Sequence, residues 1–220
     1  MLALSLRVSL VAVAAVLPMA GALAWVLART EWPGKILLDA VVHLPLVLPP
    51  VVTGWALLVL FGSAGPFGGA LARLGITVLF RWQGAAIAAA VMALPLAVRA
   101  IRLSLEAIDR RLEEAAATLG AGRWRVFATV TLPLALPGVL AGAVLGFARS
   151  VGEFGATITF VGNVPGATRT LPLAIYGALQ TPGGESAATR LALISVVLSL
   201  GALVASEALA RRTGRGGHVL

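Results

Sequence analysis

The chain contains no cysteine in its 220 residues, which excludes a disulfide framework, thiol chemistry and cysteine-based zinc sites and leaves the redox compartment open. Lysine occurs once. Lys35 is followed by Ile36, so the Gly-x-x-x-x-Gly-Lys-Ser/Thr loop that cradles nucleotide phosphates is absent, and this chain is not the hydrolase of such a system. There is no His/Glu metal set and no nucleophile elbow, so no catalytic residue and no metal ligand is assigned. Charge is scarce: 12% of residues are charged against 59% hydrophobic, with a mean hydropathy of +0.97, far outside the range of soluble domains. Lipid is therefore the expected solvent. In a bilayer the backbone must satisfy its own hydrogen bonds, and these Ala-, Leu- and Val-rich runs lack the strict alternation of barrel strands. The expected fold class is thus all-α, a polytopic membrane helical bundle forming a single domain over residues 1–220. The net charge of +8 comes from arginines scattered between apolar runs without interleaved aromatics, which argues against nucleic acid and for membrane topology.

Five spans are expected: Val8 to Ala28, Ile36 to Phe61, Ala85 to Leu105, Phe127 to Phe147 and Leu191 to Ala210. The first is longer than the apolar core of a signal peptide and is read as a retained span. The third has a short charge-free core, so Arg99 and Arg102 would snorkel to the interface while Trp82 anchors the other end. Basic residues concentrate after the first, third and fifth spans, at Arg29 and Lys35, at Arg99 through Arg125, and at Arg211, Arg212 and Arg215. The positive-inside rule makes that face cytoplasmic, with the N-terminus periplasmic and the C-terminus cytoplasmic. On the opposite face the apolar segment Leu171 to Leu179 is too short to cross and is read as an interfacial or dipping helix. A sixth span there would reverse the C-terminus.

Between the third and fourth spans, Leu105, Ile108, Leu112, Ala115 or Ala116, and Leu119 recur at helical spacing, with acidic and basic residues on the remaining arc. Arg110 and Glu114 stand four apart, as do Asp109 and Glu113. Gly120 and Gly122 supply the turn that ends this helix. The whole cytoplasmic loop, 104–126, reads as a docking element.

Prolines form a second pattern. Pro18, Pro45, Pro49, Pro50, Pro95, Pro133 and Pro137 sit in or beside spans, and each frees a backbone carbonyl. Two readings stand for Leu48 to Gly54, which includes Pro49, Pro50, Thr53 and Gly54: a pore-lining segment or a packing kink. Gly152, Glu153 and Thr157 are the other candidate pathway residues. Arg149 and Glu153 are spaced to pair, and Arg149 or Arg169 could offer a transient contact to an entering anion or serve only topology. Asp39 and His43, four apart, read as an interfacial polar pair or a proton relay, the latter implying a proton-coupled secondary transporter. Glu207 can meet Arg211 one turn later.

Glu114-Ala115-Ala116, three residues, Gly120, nine residues, then Val130-x-Leu132-Pro133 resembles the EAA loop of importer-type ABC permeases, with Val130 where Ile is usual. Further strings are similar to the molybdate (molybdenum) branch of that family: Leu44 to Gly54, Gly152-Glu153-Phe154-Gly155-Ala156-Thr157, Asn163-Val164-Pro165-Gly166, Thr170 to Tyr176 and Gln180 to Glu185. Sulfate and thiosulfate permeases share something like the Gly-Glu-Phe-Gly string. The resemblance implies a MetI-like permease fold, ATPase coupling through Glu114, Ala115, Ala116, Gly120, Leu132 and Pro133, and translocation of molybdate, with tungstate as a second candidate ion and a sulfate/thiosulfate-type oxyanion permease as the alternative. It also implies a homodimer in the bacterial inner membrane, two cytoplasmic ABC ATPase subunits that use ATP and Mg, a periplasmic oxyanion-binding protein, and no cofactor bound by this chain.

Overall fold

The structure is a computed structural model that describes residues 1–214, with only the helical backbone for residues 202, 203 and 205–214. Arg215 and the side chains of Glu207, Arg211 and Arg212 thus lie outside the described residues. The elements are α1 (Leu2–Arg29), α2 (Lys35–Val47), α3 (Pro50–Phe61), α4 (Pro66–Arg73), α5 (Trp82–Glu106), α6 (Arg110–Thr118), α7 (Arg123–Val126), a π-helical segment (Phe127–Thr131), α8 (Leu132–Val151), α9 (Gly155–Val161), α10 (Leu171–Leu179) and α11 (Glu185–Gly214). Among the described residues, α1, α5 and the run Arg123–Val151 are each long and apolar enough to cross a bilayer. The 30-residue α11 covers the fifth expected span.

The core is a three-helix contact of α1, α5 and α8, held by small residues recurring every fourth position. α1 buries Val8, Ala12, Val16, Ala20 and Ala24, α5 buries Ala85, Ala89, Ala93 and Ala97, and α8 buries Gly138, Gly142 and Gly146. Lipid tails are as apolar as leucine, so helices in a membrane gain by close van der Waals approach rather than by hiding apolar surface. The approach is closest at Gly138, where a Cβ would collide with the Ser104 side chain and lie 2.9 Å from the Ala100 carbonyl oxygen.

Three expectations change. The second span is not one helix: α2 and α3 meet at 115°. Leu48 is extended (φ −68°, ψ 141°), as the residue before a proline tends to be, and Pro50 starts α3 afresh at a position where its missing N–H costs nothing. The third span, suspected of weakness, is the most deeply packed helix, with 61% of its apolar window buried against 28% for α1. Its Arg102 does not simply snorkel but is held by Asp39 and Glu106. The apolar pattern from Leu105 to Leu119 is also not one helix. α5 stops at Glu106, and Asp109 caps a new helix by accepting a hydrogen bond from the Arg111 N–H at 3.0 Å, a local contact that outcompetes continuation of α5.

The first helix begins at Leu2, so Arg7 lies within it and stacks over the Trp82 ring at 3.9 Å. That contact ties the start of α1 to the start of α5, at the end of the bundle away from α6. The short apolar segment is helix α10, nine residues long and only about 14 Å at 1.5 Å per residue, too short for a sixth span. Helices α4 and α9 were not anticipated.

Candidate functional site

At one end of the bundle α6 stands clear of the core, with no buried residue. Glu114, Ala115 and Gly120 are exposed and Ala116 is half-buried; Leu132 and Pro133, at the start of α8, are exposed as well. Gly120 has φ +86°, and its N–H donates to the Ala117 carbonyl at 3.0 Å while that of Ala121 donates to Ala116 at 3.1 Å. This pair of bonds is a Schellman turn, which needs the left-handed conformation that glycine adopts without strain. Leu119, just before the turn, is 89% and Trp124, after it, 85% exposed, and Arg110, Arg111, Arg123 and Arg125 on the same α6–α7 segment are exposed as well. Exposed large apolar side chains and exposed arginines on one projecting segment make it a candidate contact surface.

Among the described residues the expected Arg110–Glu114 pair does not form. The tethering carboxylate is the neighbour, Glu113, which accepts from Arg29 Nη2 at 3.0 Å and from Thr131 Oγ1 at 2.6 Å. Nothing in the local spacing marked this contact, because Arg29 lies 84 residues away. Close by, Arg102 donates to Asp39 at 3.0 Å and to Glu106 at 2.7 Å, and His43 Nδ1 sits 3.2 Å from the same Asp39 oxygen. Asp39 is therefore part of a network joining α2 to α5, not an isolated partner of His43. In the nearby loop Lys35 donates a hydrogen bond to Glu31 and adds its charge, which together hold that carboxyl below its usual value of 4.5.

At the opposite end two of the motif strings meet. α3 crosses α9 so closely that a Cβ on Gly54 would lie 2.6 Å from the Ala156 carbonyl oxygen, and one on Gly155 would lie 2.8 Å from Pro50 Cβ. Pro49 and Pro50 are exposed beside this crossing, whereas Thr53 and Gly54 are buried in it. Glu153 is 2% exposed. Its Oε1 accepts the Ala156 N–H at 2.8 Å, capping α9, and its Oε2 lies 2.6 Å from Arg149 Nη1, an ion-pair distance without hydrogen-bond alignment. The hydroxyls of Thr53 and Ser150 are also buried with no partner, and Thr157 on α9 is buried too. Gly152 is exposed at the end of α8.

Arg169 is engaged elsewhere: its Nε donates to Asn163 Oδ1 at 2.9 Å, and Asn163 Nδ2 donates to the Leu173 carbonyl at 3.1 Å. Thr168, fully buried, closes the same loop by donating to Gly162 and accepting from Val164. The Asn-Val-Pro-Gly string thus builds a turn, with Gly166 at φ +77°, and the Pro-Gly-Gly string joins α10 to α11 with Gly183 at φ +75°.

An apolar helical bundle with an exposed helix at one end, and a broken helix pair and a buried ion pair at the other, fits a membrane transport subunit. Residues 19–215 match the family described as binding-protein-dependent transport system inner membrane component, and the chain belongs to it; it is an ABC permease, not itself an enzyme. It is 60% identical over 96% of its length to the molybdenum transport system permease protein ModB of Escherichia coli strain K12, covering 95% of that protein. It is 57% identical to the ModB of Haemophilus influenzae, over 95% of this chain and 92% of the other. The sulfate transport system permease protein CysT of E. coli K12 is 41% identical over 88% of this chain and 69% of its own length. In fold, the chain is similar to a bacterial alginate ABC transporter (TM-score 0.74, 18% identity, 96% of this chain and 77% of that one) and to the MetNI methionine ABC transporter (TM-score 0.69, 19% identity, 96% and 91%).

Proposed function

We propose that this chain forms the transmembrane channel of an ATP-driven importer of molybdate, working as a homodimer with two ATPase subunits and a periplasmic oxyanion-binding protein. The observation that carries the substrate is the 60% identity, nearly end to end, to a molybdenum permease. The α6 end faces the cytoplasm, so the N-terminus is periplasmic and the C-terminus cytoplasmic. The loop 104–126 is the coupling element, and its exposed Glu114, Ala115, Ala116 and Gly120, with Leu132 and Pro133, form the ATPase-facing surface.

Transport proceeds by alternating access. ATP closes the ATPase dimer, α6 of each permease moves with it, and the bundle opens outward to the loaded binding protein; hydrolysis returns it inward. The crossing of α3 and α9, with Pro49, Pro50, Thr53, Gly54, Gly152, Glu153 and Thr157, borders the pathway, supported by its unpartnered buried hydroxyls. Arg149 is the better placed of the two candidate anion contacts, since Arg169 already serves Asn163. A tetrahedral dianion passing Arg149 would compete with Glu153 for the guanidinium, so the contact is transient.

The test is reconstitution of the chain with its ATPase in liposomes, with the binding protein outside. Uptake of molybdate that requires ATP and the binding protein, and that excess sulfate does not suppress, is expected. Uptake by the permease alone under a pH gradient would overturn the importer reading, and equal suppression by sulfate would overturn the substrate.

A further inference from the structure

We infer that Glu113, Arg29 and Thr131 form a transmission joint that carries the movement of α6 into α1, so that α1 is a driven element of the transport cycle and not a passive lipid anchor. The inference rests on the importer reading above. Its physical basis is that a single carboxylate oxygen, Glu113 Oε1, is shared by the end of α1 and the π-helical segment at the start of α8, at 3.0 and 2.6 Å.

Four observations converge on this joint. Glu113 belongs to α6, which has no buried residue of its own, so this carboxylate is its polar hold on the bundle. The pair is shielded: the Arg29 side chain is 8% and the Glu113 side chain 20% exposed, and a charge in that setting keeps its partner. The hold is nevertheless single-pronged, because Arg29 Nε is buried with no partner; a two-pronged guanidinium–carboxylate fork would be more rigid. Thr131, 1% exposed, closes a five-residue π-helical segment, and such interruptions are frequent at functional sites.

A second, apolar clasp runs in parallel. Trp25, one turn before Arg29 on α1, meets Phe127 edge-on with ring centroids 5.3 Å apart, and Phe127 meets the exposed Trp124 at 6.5 Å. The last turn of α1 is therefore gripped by α6 through charge and by the π-helical segment through aromatics. α1 in turn packs along α5 and α8 through its stripe of small residues, so a displacement at Arg29 is passed along the full core contact.

The experiment uses the complete importer in lipid nanodiscs, comparing wild type, Arg29→Gln, Glu113→Gln and the double variant. For Arg29→Gln the ATPase subunit should still copurify in equal ratio, whereas stimulation of ATP hydrolysis by loaded binding protein should fall about tenfold, the size of a typical inter-site coupling. The double variant should be no worse than either single one, since both break the same contact. A spin-label pair on the last turn of α1 and on α6 should keep its separation on ATP binding in wild type, because the joint moves the two together, and change it in Arg29→Gln, a readout that a merely structural role leaves alone. Full stimulation in Arg29→Gln, additive losses in the double variant, or the same label response in wild type and Arg29→Gln would each overturn the joint. If Arg29→Gln does not yield intact protein, Thr131→Val removes the second arm alone and should lower stimulation by a smaller factor; full stimulation there overturns the joint as well. Failure of wild type to bind an ATPase would instead refute the importer reading.

Discussion

The two ends of this molecule are held together by different physics. Away from α6, helices cross on glycine: Gly54 against Ala156 and Gly155 against Pro50 leave no room for a Cβ. At the α6 end α8 also meets α5 on a glycine, Gly138 against Ser104, but α6 and α2 are tied to the bundle by charge, through Glu113 with Arg29 and Asp39 with Arg102. Close-packed backbones tolerate no change of distance, whereas a hydrogen-bonded ion pair can break and re-form. One end is thus a fixed crossing and the other a set of replaceable links, as expected if force enters at α6 and a tightly shaped passage must keep its form at the far end.

Substitutions at the two ends should separate these regimes. The largest effect is expected from Gly54→Val, whose added atoms meet backbone at 2.6 Å and should cost about 3 kcal/mol or more by overpacking. Thermal unfolding in detergent measures this, and Gly146→Ala, where the nearest neighbours lie at 3.8 Å, should leave the midpoint nearly unchanged. Next comes Glu153→Ala, which strands Arg149 and uncaps α9; a loss of about 3 kcal/mol is expected, with part restored by adding Arg149→Met. A Glu153→Ala protein as stable as wild type would remove the ion pair from the account.

Gly120→Ala is expected to strain the Schellman turn by about 1 kcal/mol. No atom lies within 4 Å of the added Cβ, so the strain is that of the backbone alone and the unfolding midpoint should fall by only about 2–4 °C, while pull-down of the ATPase and ATP-dependent uptake should both weaken. Glu31→Gln should do least. The Glu31 carboxyl titrates below its usual value of 4.5 through Lys35, so any stability it adds is present at neutral pH and lost only as pH falls through that lowered value. Unfolding midpoints of wild type and Glu31→Gln between pH 7 and pH 5 should coincide, since exposed pairs of this kind are worth little.

Much of this was legible in the residues, and what escaped has physical causes. Composition alone implied a helical membrane bundle, because hydropathy and the need for internal backbone hydrogen bonding leave few alternatives. The helix carrying Glu114 and its stop at Gly120 were readable because the glycine turn is local. Glu113 was not, since its partner Arg29 is brought near only by folding. The division at Asp109 shows a cap overruling an apolar period that ran on through it, and the break at Leu48 shows two prolines overruling a run long enough to cross. α9 escaped notice because the six residues between Gly155 and Gly162, two of them threonine, carry too short a period to distinguish a helix from a loop. The strings Asn-Val-Pro-Gly and Pro-Gly-Gly form turns with Gly166 and Gly183 at positive φ, which accounts for those glycines by backbone shape alone.

Consecutive imino acids at positions 49 and 50 carry a further consequence. Neither nitrogen bears a hydrogen, so the oxygens of Pro45 and Leu46 can never receive the bonds that would fuse the two short helices into a straight rod, and the ring of Pro49 would strike the Pro45 oxygen if they tried. Straightening is therefore closed to this elbow in every state of the cycle. Whatever rearrangement admits the cargo can alter the elbow's angle but cannot abolish it.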